Sequence, residues 1–339
     1  MDDVVIKIST NSCFSEFIKF SDVLYRTPIA QVYKIELNNV SRLGPFEILY
    51  SFFSLRQFVS KIKSRHKPEI IFNISGKEYS YKEALKLFVF DRIDKNNTTY
   101  MPLYTVIIQD LYNEAWSYKQ KVEDIIEYRS KIFAKQIALG EDGFLVNYMT
   151  YAIRELVRNC VYYCCSNKIY LSAQHCKEND FSELVVFDEG IGIPKSLGKY
   201  SKWNFAITEQ ALEASLHPGV TGAYRGNHLS VNNIWDPSGF GLFNLASICQ
   251  KNNGRFIILS NNRGIMLSSE SIRYFKVNFT GTAVYLKFQN SKLNDLMREL
   301  HIINDLGINI VGKNSKIADI SFPSMSIQTL TQNIQQLYA

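Results

Sequence analysis

Three short segments, met in one order along the chain, constrain its fold more tightly than any bulk property: Glu155-Leu-Val-Arg-Asn159, Asp188-Glu-Gly190-Ile-Gly192-Ile193 and Gly239-Phe-Gly241-Leu242. The first lies in a helical pattern. Met149, Ala152, Ile153, Leu156, Val157, Cys160, Val161 and Cys164 recur at three-and-four spacing and form a core stripe. At about 100° per residue, Glu155, Asn159 and Tyr163 follow one edge of that stripe, while Arg154 and Arg158 are expected to point away from it. Polar groups at a core edge can face a cleft. A carboxylate and a carboxamide one turn apart suit a base that orients water and an oxygen ligand for magnesium, which takes few protein ligands. An ordinary amphipathic helix with a solvated Glu and Asn has the same spacing.

Asp188 closes a continuous apolar run, Leu184-Val-Val-Phe187, of the kind that forms a buried strand. At the strand end a carboxylate can accept a hydrogen bond from the exocyclic amine of adenine. Gly190 and Gly192 permit close backbone approach and positive φ, and Pro194 stops any continuation; a simple tight turn would use the same residues. The third segment opens a helix expected over residues 242–250, with Leu242, Leu245, Ala246 and Cys249 on one face and Asn252-Asn253-Gly254 at its end. Glycines before a helix start leave N–H groups free to point at an anion, and the helix dipole favours phosphate there. A loop that merely needs glycine is the alternative. Residues 255–260 and 281–286 read as further strands.

In this order and spacing the segments resemble the GHKL ATPase superfamily, which includes gyrase-type topoisomerases, heat-shock chaperones, sensor histidine kinases and mismatch-repair ATPases. Glu155, Asn159 and the Tyr162-Tyr163 pair match its N box, Asp188, Gly190, Gly192 and Ile193 its first glycine box, and Gly239, Gly241 and Leu242 its second. Asn253-Gly254 and Gly281-Thr282 match the turn and closing strand that follow, so the resemblance covers residues 125–290. It implies a two-layer α/β sandwich, a mixed sheet with helices on one face, that binds ATP with magnesium. Asn159 would hold the metal, Asp188 would read adenine, Thr282 would lie under the base, and the glycines would shape the walls. Residues 195–238 would form a mobile lid, with Arg225 as its phosphate contact or as a solvated loop cation.

Glu155 stands where many sensor kinases carry Asn, whereas hydrolysing members and the anti-sigma-type serine kinases carry Glu. None of His66, His175, His217, His228 and His301 is followed by an acidic residue, as a phosphoacceptor histidine usually is. The second glycine box lacks the third glycine of its fullest version. The resemblance therefore implies ATP hydrolysis that drives a switch acting on a protein partner, with two alternatives: a serine/threonine kinase of the anti-sigma type, or a nucleotide-gated module without turnover.

Before these segments, strands over 4–9, 32–37 and 69–74 alternate with helices over 15–25 and 46–63, which predicts a small α/β domain over residues 1–110. Residues 35–58 faintly resemble the strand, loop and helix of STAS domains, with Ser41 in the corresponding loop. Residues 95–104 read as a linker or exposed loop. One long helix over 113–139 would lead into the ATP-binding domain (111–290) or pair two copies as a homodimer, and a helix, strand and helix would make up a C-terminal extension (291–339).

With 46% hydrophobic and 13% aromatic residues, the chain can fill two cores. Its net charge of +6 comes without a dense basic stripe or a zinc motif, so nucleic-acid binding is not indicated. The six cysteines show no metal-type pairs, and Cys160 and Cys164, four apart on the core stripe, are expected to be reduced core residues. Neither a signal segment nor an apolar run of membrane-spanning length is evident, so a cytoplasmic location and no membrane contact are expected.

Overall fold

A computed structural model describes residues 3–8, 14–37, 44–64, 68–74, 76–80, 98–139, 143–200, 205–222 and 239–313. The N-terminal alternation builds β1 (Val4–Ile8), α1 (Phe14–Arg26), β2 (Val32–Leu37), α2 (Pro45–Lys63), β3 (Glu69–Ile74) and β4 (Lys77–Ser80). These strands form one sheet in the order β1-β2-β3-β4. The first three are parallel because a helix returns the chain between them, and the short β3-β4 turn makes the last pair antiparallel. Ser41 lies outside the described residues.

The second sheet has seven strands in the order β10-β9-β8-β11-β7-β6-β5: β5 (Thr98–Ile107), β6 (Lys168–Cys176), β7 (Phe181–Asp188), β8 (Arg255–Ser260), β9 (Arg263–Ser268), β10 (Ile272–Lys276) and β11 (Thr282–Gln289). A mixed sheet is the expectation; every described pairing here is antiparallel. Hairpins explain much of this. Between β8 and β9, Asn261 (φ 47°) and Asn262 (φ 65°) make a two-residue turn with both centres left-handed, the geometry that suits the twist of paired strands.

Residues 98–104 are part of a strand, not a linker. Thr98–Ile107 pairs with β6 at the sheet edge, and Pro102 falls where the register shifts between Met101 and Tyr104, a place where a missing N–H costs little. The larger unit therefore begins by Thr98, ahead of the expected boundary at 110. The helix expected over 113–139 is two helices, α3 (Ile108–Tyr118) and α4 (Val122–Ile137), separated at Lys119, whose φ of 54° is a left-handed helix end. They are followed by α5 (Phe144–Tyr163), and later by α6 (Ile193–Tyr200), α7 (Thr208–Ser215), α8 (Gly241–Lys251) and α9 (Leu296–Lys313). Leu296, Leu300, Ile303 and Val311 of α9 join the main core, so this helix belongs to the larger unit instead of forming an extension. The strand and helix expected beyond it lie outside the described residues.

Strand alternation sends side chains to two covered faces. Leu184, Val186, Phe256, Ile258, Val284 and Leu286 pack under the helices of the larger unit, while Val185, Phe187, Ile257, Leu259, Ala283 and Tyr285 pack against the N-terminal unit. Helices on one face only were expected; α2 covers the other. Phe46 and Phe53 of α2 meet Phe187 at ring distances of 6.3 and 5.4 Å, and Phe279 closes on Phe187 at 5.3 Å. At the rim, Arg56 pairs with Glu189 (3.2 Å), Gln57 donates to Thr280 (3.0 Å), and Asn278 donates to Asp22.

Glu47, in the first turn of α2, faces Glu183, Lys287 and Tyr285 of the large sheet. Burial, then the charge of Glu183, pushes its carboxyl from 4.5 up to about 7. The sign follows from linkage: the folded state holds a proton that the unfolded state has released. Stability from this group is complete below 4.5 and is lost as pH rises through about 7. Urea titrations of wild type and Glu47→Gln should therefore diverge across that window, with the wild type falling more steeply by up to about 1.4 kcal/mol per pH unit. Parallel pH profiles would remove Glu47 as the source.

Candidate functional site

Helix α5 carries the first group of candidate residues. Asn159 is half-buried, and its side chain lines a cleft together with that of Tyr163, one turn on. Glu155 lies a turn earlier and is fully buried (0% exposed), behind the cleft surface. Its Oε2 accepts from Arg158 Nη2 at 2.9 Å and its Oε1 from Arg154 Nη2 at 3.5 Å. Both arginines are themselves buried, which corrects the expectation that they point away. A buried carboxylate requires charged partners, and the same helix supplies them at i−1 and i+3.

Asp188 ends β7 on the helix-covered face, in step with Leu184 and Val186, and is buried. Its Oδ1 accepts from the Gly190 N–H at 2.8 Å and its Oδ2 from the Cys160 thiol at 3.7 Å. Thr282 faces it directly in register across β11 and adds a side-chain hydrogen bond. Burial raises its carboxyl from 3.8 to about 6, against the opposing pull of these donors. Donors already in place on a buried acceptor hold its orientation for a ligand.

Glycine supplies the backbone walls for steric reasons that can be read at two positions. A Cβ on Gly190 would stand 1.9 Å from the Cys164 carbonyl oxygen, which also receives the Ile191 N–H at 2.8 Å. Gly239 has φ 75°, and a Cβ there would stand 2.6 Å from the Gly219 backbone. Gly241 begins α8 and Leu242 follows it, and both line the cleft, so the helix end whose first N–H groups lack intrahelical partners lies at the cleft wall. The expected lid begins as α6 and α7, and Thr221 beyond them is 3.0 Å from the Tyr163 hydroxyl. Arg225 lies outside the described residues.

The cleft has an open space of ≈ 870 Å³, and Asn159, Tyr163, Asp188, Gly192, Ile193, Gly239, Gly241, Leu242 and Thr282 all line it. Gly190 and Glu155 stand just behind that surface: Gly190 binds Asp188, and Glu155 Oε2 is 2.7 Å from where a Cβ on Gly241 would be. Sequence reasoning missed Cys160 and Arg158 as cleft residues. Cys160 belongs to the apolar stripe, and the signal that could have marked it is its position beside Asn159, where stripe and cleft edge overlap. Among the described residues no cluster of His, Cys, Asp and Glu could hold a metal by itself. Magnesium makes no such demand, because its other ligands are waters and phosphate oxygens, and the Asn159 carboxamide beside Gly241 suits that donor set. The five described cysteines are free thiols. No helix among the described residues is long and apolar enough to cross a membrane. No protein-family model matches the chain, and no curated protein matches it either.

Proposed function

We propose that the chain binds ATP with magnesium in this cleft, as a GHKL-type ATPase, and that hydrolysis drives a conformational switch controlling a protein partner. The observation that carries this reading is convergence. Asn159, Asp188, Gly241 and Thr282 come from four separate elements and line one cleft, with an adenine-type acceptor on a strand and a glycine-opened helix N-terminus beside a carboxamide. Asn159 would hold magnesium, which when bound neutralises phosphate charge, and Asp188 would accept from the adenine amine. The switch is supported by position: α2 of the N-terminal unit contacts Glu189 and Thr280, the neighbours of Asp188 and Gly281. A second reading, a nucleotide-gated module without turnover, draws support from the double arginine clamp that keeps Glu155 behind the cleft surface.

Calorimetry with ATP and GTP tests the central assignment. Asp188→Asn replaces a charged acceptor with an amide, so ATP binding should weaken by about 1.5 to 3 kcal/mol, the scale of one hydrogen bond to a charged group. GTP, which presents an acceptor where adenine has its amine, should be affected less. Unchanged ATP affinity in the variant would remove Asp188 from the adenine role.

A further inference from the structure

We propose, on the premise that the cleft binds ATP, that Arg158 is the residue that senses the terminal phosphate, and that it does so by leaving Glu155. Among the described residues lining the cleft, Arg158 is the one cationic side chain. Its Nη2 is held by Glu155 Oε2 at 2.9 Å, and this same oxygen lies 2.7 Å from the Cβ position of Gly241. Guanidinium, carboxylate and the first residue of α8 therefore meet at one point. Cys160, which touches Asp188, is five residues beyond Glu155 along α5, about 7.5 Å of helix, so the carboxylate end of this meeting point is set apart from the adenine acceptor.

A terminal phosphate offers Arg158 more negative charge than one carboxylate, and a planar pair of oxygens that a guanidinium matches. Once Arg158 turns to it, Glu155 is not orphaned: Arg154 remains 3.5 Å from Oε1. Arg154 has capacity for this: its Nη1 faces Glu127 Oε1 at 4.0 Å, beyond hydrogen-bond distance, and its Nε and Nη1 make no hydrogen bond among the described residues. Oε2 is then released on the Gly241 side, where the phosphates would lie. A diphosphate, lacking the terminal group, leaves the clamp closed, so Arg158 couples the identity of the nucleotide to the availability of Glu155.

The test is calorimetry in magnesium with ADP and with a non-hydrolysable ATP analogue, on wild type, Arg158→Lys, Arg158→Met and the double variant Arg158→Met/Glu155→Gln. The double variant removes the buried charge together with its partner, so it serves if Arg158→Met alone does not fold. Wild type should prefer the triphosphate. Both Met-containing variants should lose about tenfold or more of triphosphate affinity while keeping that for ADP, and Arg158→Lys should recover part of the loss. Equal losses for both nucleotides, no loss for either, or a wild type without triphosphate preference overturns the role of Arg158 alone. A wild type that binds neither nucleotide overturns the ATP reading, and the phosphate sensor with it.

Discussion

Glu155→Gln should retain ATP binding and release phosphate about 10²-fold or more slowly than wild type, the usual range for loss of a general base. Gln is the informative replacement because of what surrounds the position. Glu155→Ala would leave Arg154 and Arg158 buried without their shared carboxylate, and breaking such a pair costs about 3–5 kcal/mol. Lost activity in that variant would then report unfolding as much as chemistry. Glutamine keeps the shape of the side chain and one acceptor, its carbonyl, for one of the two arginines, and cannot take a proton. Phosphate release measured with magnesium and ATP, alongside calorimetric affinity, separates the outcomes. A variant that turns over at the wild-type rate removes Glu155 as the base, and a wild type without turnover favours the gated module.

Phe187→Ala should lower stability by about 3–5 kcal/mol, the range for truncating a buried aromatic ring. Phe187 is 1% exposed and is enclosed by Phe46 and Phe53 from α2 and by Phe279 from the connection between β10 and β11. The cavity would open between the two units. Urea unfolding measures the loss, and hydrogen exchange should report it first as reduced protection in α2. A change within about 0.5 kcal/mol, as for surface substitutions, would mean that the ring is not enclosed as described. This expectation is independent of any ligand, so it tests the union of the two sheets separately from the nucleotide reading.

Much of the local structure was legible because its signals are local. The three-and-four stripe marked α5, the continuous run Leu184 to Phe187 marked β7, and Gly241 with Asn252-Asn253-Gly254 bounded α8 within a residue or two. A strand apolar at every position needs both faces covered, and Val185 and Phe187 find their cover in α2. β5 was missed because Pro102 and the polar residues before it resemble a loop until β6 is there to pair with them. The helical pattern over 113–139 hid its break because Lys119, a good helix former, occupies the left-handed position where glycine would have been the visible signal.

By itself the sequence determined which residue types stand at the ends of which elements, since periodicity and glycine placement act over a few residues. That was enough to nominate nine of the side chains and backbone positions that line the cleft. Tertiary structure alone decided how charge is arranged around them. Helical angle put Arg158 away from the apolar stripe, and that angle carries no information about what packs there; burial of Glu155 between α5 and the start of α8 turned two apparently solvated arginines into its partners. The same holds for Asp188, whose acceptor oxygens are oriented by Cys160 from α5, Gly190 from the following turn and Thr282 from the neighbouring strand. Electrostatic pairing depends on distances between elements remote in sequence, and those distances exist only once the sheet has brought residues 155, 188, 241 and 282 together.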